Sequence, residues 1–116
     1  MEPQDSIIVA PGALITIARH AVLSVPGVSR MGDVPGGVGR LLRRTPRANG
    51  VRIALQGNTA TIDLHIVLEA NTNMREVSRE VQREVARAMH DIAGFDVASV
   101  DVHIADVDFA ASPDPA

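Results

Sequence analysis

From Thr59 to Glu69 the chain alternates apolar and polar side chains. Ala60, Ile62, Leu64, Ile66 and Leu68 hold one phase, Thr59, Thr61, Asp63, His65 and Glu69 the other, and Val67 is the exception. Successive strand side chains point to opposite faces, so the pattern predicts a strand with one face buried and one wetted. Just upstream, Val51, Ile53 and Leu55 alternate with Arg52, Ala54 and Gln56, and Gly57-Asn58 lies between the two runs. Two residues that tolerate positive φ suit a tight hairpin. Val100, Val102 and Ile104, alternating with Asp101 and His103, predict a last strand. Ser6–Val9 reads as a short first strand.

The cover for the apolar face follows the hairpin. Met74, Val77, Val81, Val85, Ala88 and Ile92 recur at three- and four-residue steps and form one helical stripe. Asn73 stands at the N-cap, Glu76 completes a capping box, and Gly94 suits the C-terminal cap. The opposite face interleaves Arg75, Arg79, Arg83 and Arg87 with Glu76, Glu80 and Glu84. Pairs three residues apart, such as Glu76 with Arg79 and Glu80 with Arg83, each contribute roughly 0.2–0.5 kcal/mol, as expected of a solvated face. An earlier helix opens at Pro11, a residue suited to the first helical position, and ends at Pro26-Gly27. Its stripe is Leu14, Ile17, Ala18, Ala21 and Val25. Residues 29–50, with four glycines before Arg40, read as a long irregular loop, and 30–48 as its mobile part.

The order is then β-α-β-β-α-β. The fold class is α+β, two-layered, with both helices on one face of a small mixed sheet. One domain spans 1–109, followed by a disordered tail at 110–116. A length of 116 residues and 46% apolar content support a single aliphatic core, because Phe95 and Phe109 are the only aromatic residues. The chain has no cysteine, which removes disulfides, thiol catalysis and thiolate metal sites. The longest nearly apolar run, Ile7–Ala18, is interrupted by Pro11 and Gly12 and is too short to span a bilayer. With an acidic rather than basic N-terminus, the expected location is cytoplasmic.

The net charge of −3 conceals an asymmetry. Residues 30–52 carry six arginines against Asp33, a local +5, and the remainder sums to −8. All eleven cations are arginine. Its planar fork suits phosphate or carboxylate, although genome base composition explains the exclusive use equally simply.

Candidate chemistry is sparse. Asp63-x-His65 and Asp101-x-His103 fall on the polar phases of two strands, and imidazole with carboxylate binds divalent ions when three or more donors converge. These four residues are the candidate metal ligands, but a wet sheet face needs no ion, and no metal or other cofactor is expected. No serine stands in a nucleophile-elbow context, and Asp63, Glu69 and Asp101 are expected to be solvated, so no catalytic residue is assigned. Gly36-Gly37-Val38-Gly39 matches the G-x-x-G loop of KH RNA-binding domains, with Arg40–Arg44 as a following turn. The near-absence of aromatic residues removes the usual stacking platform for bases, so nucleic acid is the alternative partner rather than the leading one. Arg40, Leu41, Leu42, Arg43, Arg44 and Arg47 are the candidate partner-binding residues.

In this order the segments resemble the alkaline shock protein family, the bacterial envelope stress response family. The resemblance rests on Ile7-Ile8-Val9-Ala10-Pro11 with Leu14–Ala18, on Val25-Pro26-Gly27-Val28, and on Gly50–Ile53 running into Thr61–Val67. Val77–Val85 and Val100–Ile104 complete it. It implies a small, non-enzymatic cytoplasmic protein of envelope homeostasis that acts as a scaffold through protein contacts. A membrane-embedded anchor is among the implied partners, placing the chain at the inner face of the membrane, and a homo-oligomer is compatible with it. The family brings no catalytic motif.

Overall fold

The structure, a computed structural model, describes residues 7–33, 47–48 and 50–110. Helix α1 (Pro11–Leu23) is followed by strands β1 (Val28–Met31), β2 (Arg47–Ala48), β3 (Val51–Gln56) and β4 (Thr59–Glu69). Helix α2 (Met74–Ala88) then runs into a π turn at Met89–Ala93, and β5 (Asp96–Asp108) ends the fold. The class is α+β, with two helices laid on one face of a five-stranded mixed sheet.

Strand β4 organises the sheet because its eleven residues are long enough to take two partners end to end on one edge. Its first half pairs antiparallel with β3, from Gln56↔Thr59 to Val51↔Leu64. Its second half pairs antiparallel with β1, where Met31 faces Ile66 and Val28 faces Leu68. At the junction the His65 N–H donates to the Gly50 carbonyl (2.8 Å), and the Gly32 N–H donates to the His65 carbonyl (2.7 Å). The other edge of β4 pairs in parallel with β5 along its whole length, through the α2 crossover. Parallel neighbours need such a crossover, whereas the antiparallel β3–β4 pair needs only Gly57-Asn58. Of those two turn residues only Gly57 takes a positive φ, +61°.

Ala60, Ile62, Leu64, Ile66 and Leu68 are buried under the helices, as their phase predicts. Val67 is also buried, and it sits where the registers of both β1 and β5 slip against β4. From α1 the buried set is Leu14, Ile15, Ala18, Ala21 and Val22. This is broader than the predicted stripe because the helix meets both the sheet and α2. In α2 the Asn73 side chain accepts the Glu76 N–H (2.9 Å), so the cap forms where predicted. Val77, Val81 and Val85 are buried, and Met89 continues the stripe in place of Ile92, which is exposed. The π turn explains the exchange: its wider i→i+5 closure rotates each residue less, so Ile92 falls outside the stripe. Arg83 pairs with Glu80 (2.6 Å) and Arg87 with Glu84 (2.5 Å) on the solvated face.

Two expectations about strands change. Ile7–Val9 forms no strand, because the described residues supply no edge beside it; Ile7 and Ile8 are 92% and 89% exposed. The segment read as an irregular loop carries a strand at each end, β1 and β2, so the described order is α-β-β-β-β-α-β. Four residues with a register slip give no legible alternation in β1. Residues 34–46, including Gly36–Arg44, and the tail from 111 lie outside the described residues.

Candidate functional site

The helix-free face of the sheet gathers the candidate ligands. Hairpin geometry puts Arg52 opposite Asp63, and the parallel register puts Asp63 beside Asp101 and His65 beside His103. Arg52 donates to one carboxylate oxygen of Asp63 from Nη2 (2.6 Å) and from Nε (3.1 Å). The other oxygen of Asp63 lies 3.8 Å from His103 Nε2. The His65 and His103 rings stack, centroids 4.5 Å apart and planes inclined by 17°. All four predicted residues therefore come together. Arg52, a polar-phase residue of β3 and one of the six arginines of residues 30–52, is the cation that pairs with Asp63.

The electrostatics follow from this packing. Burial works against ionisation of Asp63, but the hydrogen-bonded Arg52 guanidinium, helped by His103, outweighs it and holds the carboxyl below its ordinary 3.8. For His65, burial first, then the positive potential of His103 and Arg52, holds the imidazole below its ordinary 6.5 against the pull of Asp63. Among the described residues the buried His65 Nδ1 has no hydrogen-bond partner, an arrangement that costs about 1–3 kcal/mol. A neutral His65 ring tolerates this arrangement; an imidazolium there would be disfavoured by burial and repelled by Arg52.

A pH dependence follows. A histidine with a depressed folded-state pKa leaves the unfolded chain binding more protons, so stability rises with pH across that window. The contribution of His65 is complete above about pH 6.5 and is lost as pH falls through its folded value. The contribution of Asp63 is lost only further down, below 3.8. Urea unfolding at pH 7.5 and 5.5 is expected to show the wild-type chain losing stability at the lower pH. His65→Gln should flatten that difference, and an equal slope in both proteins would contradict the burial argument.

As a metal centre the arrangement is unconvergent. The stacked rings present their nitrogens in separate parallel planes, and among the described residues no three His, Asp or Glu side chains converge on one point. On the helix side, a groove of about 410 Å³ between α1 and the end of α2 is lined chiefly by Ile17, Ala21, Ala88 and Ile92, with His20 and Asp91 at its rim. The candidate partner-binding residues Arg40, Leu41, Leu42, Arg43 and Arg44 lie outside the described residues. Arg47 belongs to β2, paired with Arg52. Strand β1 stands between α1 and the glycine segment, so those glycines do not follow a helix directly as a KH clamp requires.

A family model, the alkaline shock protein 23 family with cell envelope-related function, matches residues 1–109. The chain belongs to this family. Two relatives come from Bacillus subtilis (strain 168). YqhY is 24% identical over 102 residues, covering 87% of this chain and 76% of its own. YloU is 25% identical over 80 residues, covering 69% and 67%. Among solved structures, a variant of the MamM CTD covers 82% of this chain and 93% of that chain at a TM-score of 0.51 and 20% identity. That likeness concerns the fold alone. Of the segments that carried the resemblance to the alkaline shock family, most map onto α1, the β3–β4 hairpin, α2 and β5, which build the core; Val25–Val28 joins α1 to β1, and Ile7–Ala10 is exposed chain ahead of α1.

Proposed function

We propose that this chain is a non-catalytic scaffold of the bacterial envelope stress response, working on the cytoplasmic side of the membrane through contacts with a protein partner. The observation that carries this reading is membership, over residues 1–109, of a family with cell envelope-related function. The architecture supports it. The open sheet face carries charged groups engaged with one another, and burial disfavours the charged form of His65. No described helix is long and apolar enough to cross a membrane, so membrane contact in this reading runs through the protein partner, with lipid headgroups only adding to it.

The contact segment in this reading is Arg40, Leu41, Leu42, Arg43, Arg44 and Arg47, where each arginine near anionic headgroups contributes about 1 kcal/mol. Replacing Arg40, Arg43, Arg44 and Arg47 with serine is expected to leave the thermal melt nearly unchanged, since surface changes away from packed sites are close to neutral. The same variant should lose sedimentation with anionic vesicles or with native membranes. Unchanged binding to both would remove the segment from the account. Steeply salt-dependent RNA binding by the wild-type chain would instead favour the nucleic-acid reading.

A further inference from the structure

Among the described residues the outer edge of β5 is open over a short and well-defined stretch. Leu64 and Ile66 belong to the β4 phase that bonds towards β5, because His65 between them bonds the other way, to Gly50 and Gly32. In this parallel register Asp101 and His103 therefore face β4, while the backbone groups of Val100, Val102 and Ile104 point outward. At one end the Gln82 side chain reaches from α2 and donates to the Val100 carbonyl (3.0 Å). At the other, beyond the register slip, the Asp106 side chain accepts the Val107 N–H (2.8 Å). Between these caps lie the N–H and C=O groups of Val102 and Ile104, and no described strand pairs with them. Their side chains, on the helix-covered face, are only half-buried at the rim of the core. Such an edge is a template for another strand.

The fold also carries a strand-like segment that pairs with no described strand. Ile7-Ile8-Val9-Ala10 precedes α1 as non-helical chain with large apolar side chains in solvent, and Ala10 is extended (φ −66°, ψ 142°). Within one copy helix α2 separates the two. Helix α1 lies over β1 and β3, and α2 lies between it and β5. Thr16 and Ile17 of α1 share a groove with Asp91 and Ile92, so the first half of α1 lies toward the π turn, and the four residues before the helix span at most roughly 14 Å. Reaching Val102 requires crossing the width of α2, about 10–12 Å, and then climbing six residues of β5, about 20 Å.

We infer that Ile7–Ala10 of one copy adds as a strand to the Val102–Ile104 edge of a second copy. The lengths match, because a four-residue donor fits the five-residue stretch Asp101–Ala105 between the two caps. Strand addition pairs the open backbone groups and sets alternate donor side chains against Val102 and Ile104. Asp101 and His103 stay on the wet face and are not covered. This goes beyond the scaffold reading and stands without it.

The absence of cysteine from the chain allows a direct test. Adjacent strands lie about 4.7–4.9 Å apart, within the Cα separation that a disulfide spans. Full-length chains carrying one cysteine in the donor (Ile7→Cys, Ile8→Cys or Val9→Cys) are mixed with chains carrying one in the edge (Val102→Cys or Ile104→Cys) and oxidised. At least one combination is expected to give a cross-linked heterodimer in preference to the same donors mixed with Arg75→Cys, on the exposed face of α2. Sedimentation of the cysteine-free chain should show a mass above the monomer, lost in Ile7→Asp/Ile8→Asp with the circular dichroism spectrum unchanged. Overturning results are a monomer at every concentration, an oligomer that survives the aspartates, or no preference over Arg75→Cys.

Discussion

Leu64→Ala is expected to destabilise the domain by roughly 2–5 kcal/mol, as large-to-small changes in packed cores do. Leu64 is fully buried in the middle of the central strand, with β3 on one side, β5 on the other and the helices above. Three strands pair with β4 and two helices cover it, so there is little freedom for the site to collapse around the missing atoms. The neighbouring substitution His65→Ala should stay within about 0.5 kcal/mol at pH 8, because it removes a partly exposed ring from the wet face. Urea melts of the two variants measure the contrast. A larger loss for His65→Ala would mean that the buried and wetted faces are exchanged.

Gly50→Ala is the second large effect. Gly50 has φ +79°, and a Cβ there would stand 2.4 Å from the Gly32 carbonyl oxygen and 2.7 Å from that of His65. Both obstacles are backbone, and both belong to the junction where β1 and β3 meet along β4. The left-handed conformation alone costs a non-glycine residue about 1–2 kcal/mol, and separating the strand ends adds to it, so a loss of at least about 2 kcal/mol is expected. Gly57→Asn provides the comparison. It also has positive φ, but nothing lies within 4 Å, and asparagine tolerates that region, so a loss below about 1 kcal/mol is expected. Equal losses would show that the junction is not tight.

Much of this architecture was legible in the residues. The period-two run of β4, the Asn73 cap and the stripe of α2 each state their own conformation locally, and the two-residue turn at Gly57-Asn58 fixes the hairpin register. That register also implies Arg52 opposite Asp63, a pairing that could have been read by counting back from the turn. The alignment of His65 with His103 could not. A parallel neighbour joined through a helix has no turn to set its register, so the stacked pair emerges only from packing of α2 against the sheet. Ile7–Val9 was misread for a related reason. Its β-branched residues favour extended chain, but a strand needs an edge, and β propensity does not say whether one is within reach. Strand β1 hid in the opposite way: Val28–Met31 has a partner but no clean alternation, because its register slips against β4. Ile92 was misplaced because a π turn changes the angular step per residue, which a strict helical count does not anticipate.

Scaffold action at the membrane is tested most directly by co-sedimentation of the full chain with native bacterial membranes, before and after protease treatment of those membranes. The account predicts that the chain sediments with untreated membranes and returns largely to the supernatant once their exposed proteins have been digested. A chain that stays in the supernatant throughout would contradict it.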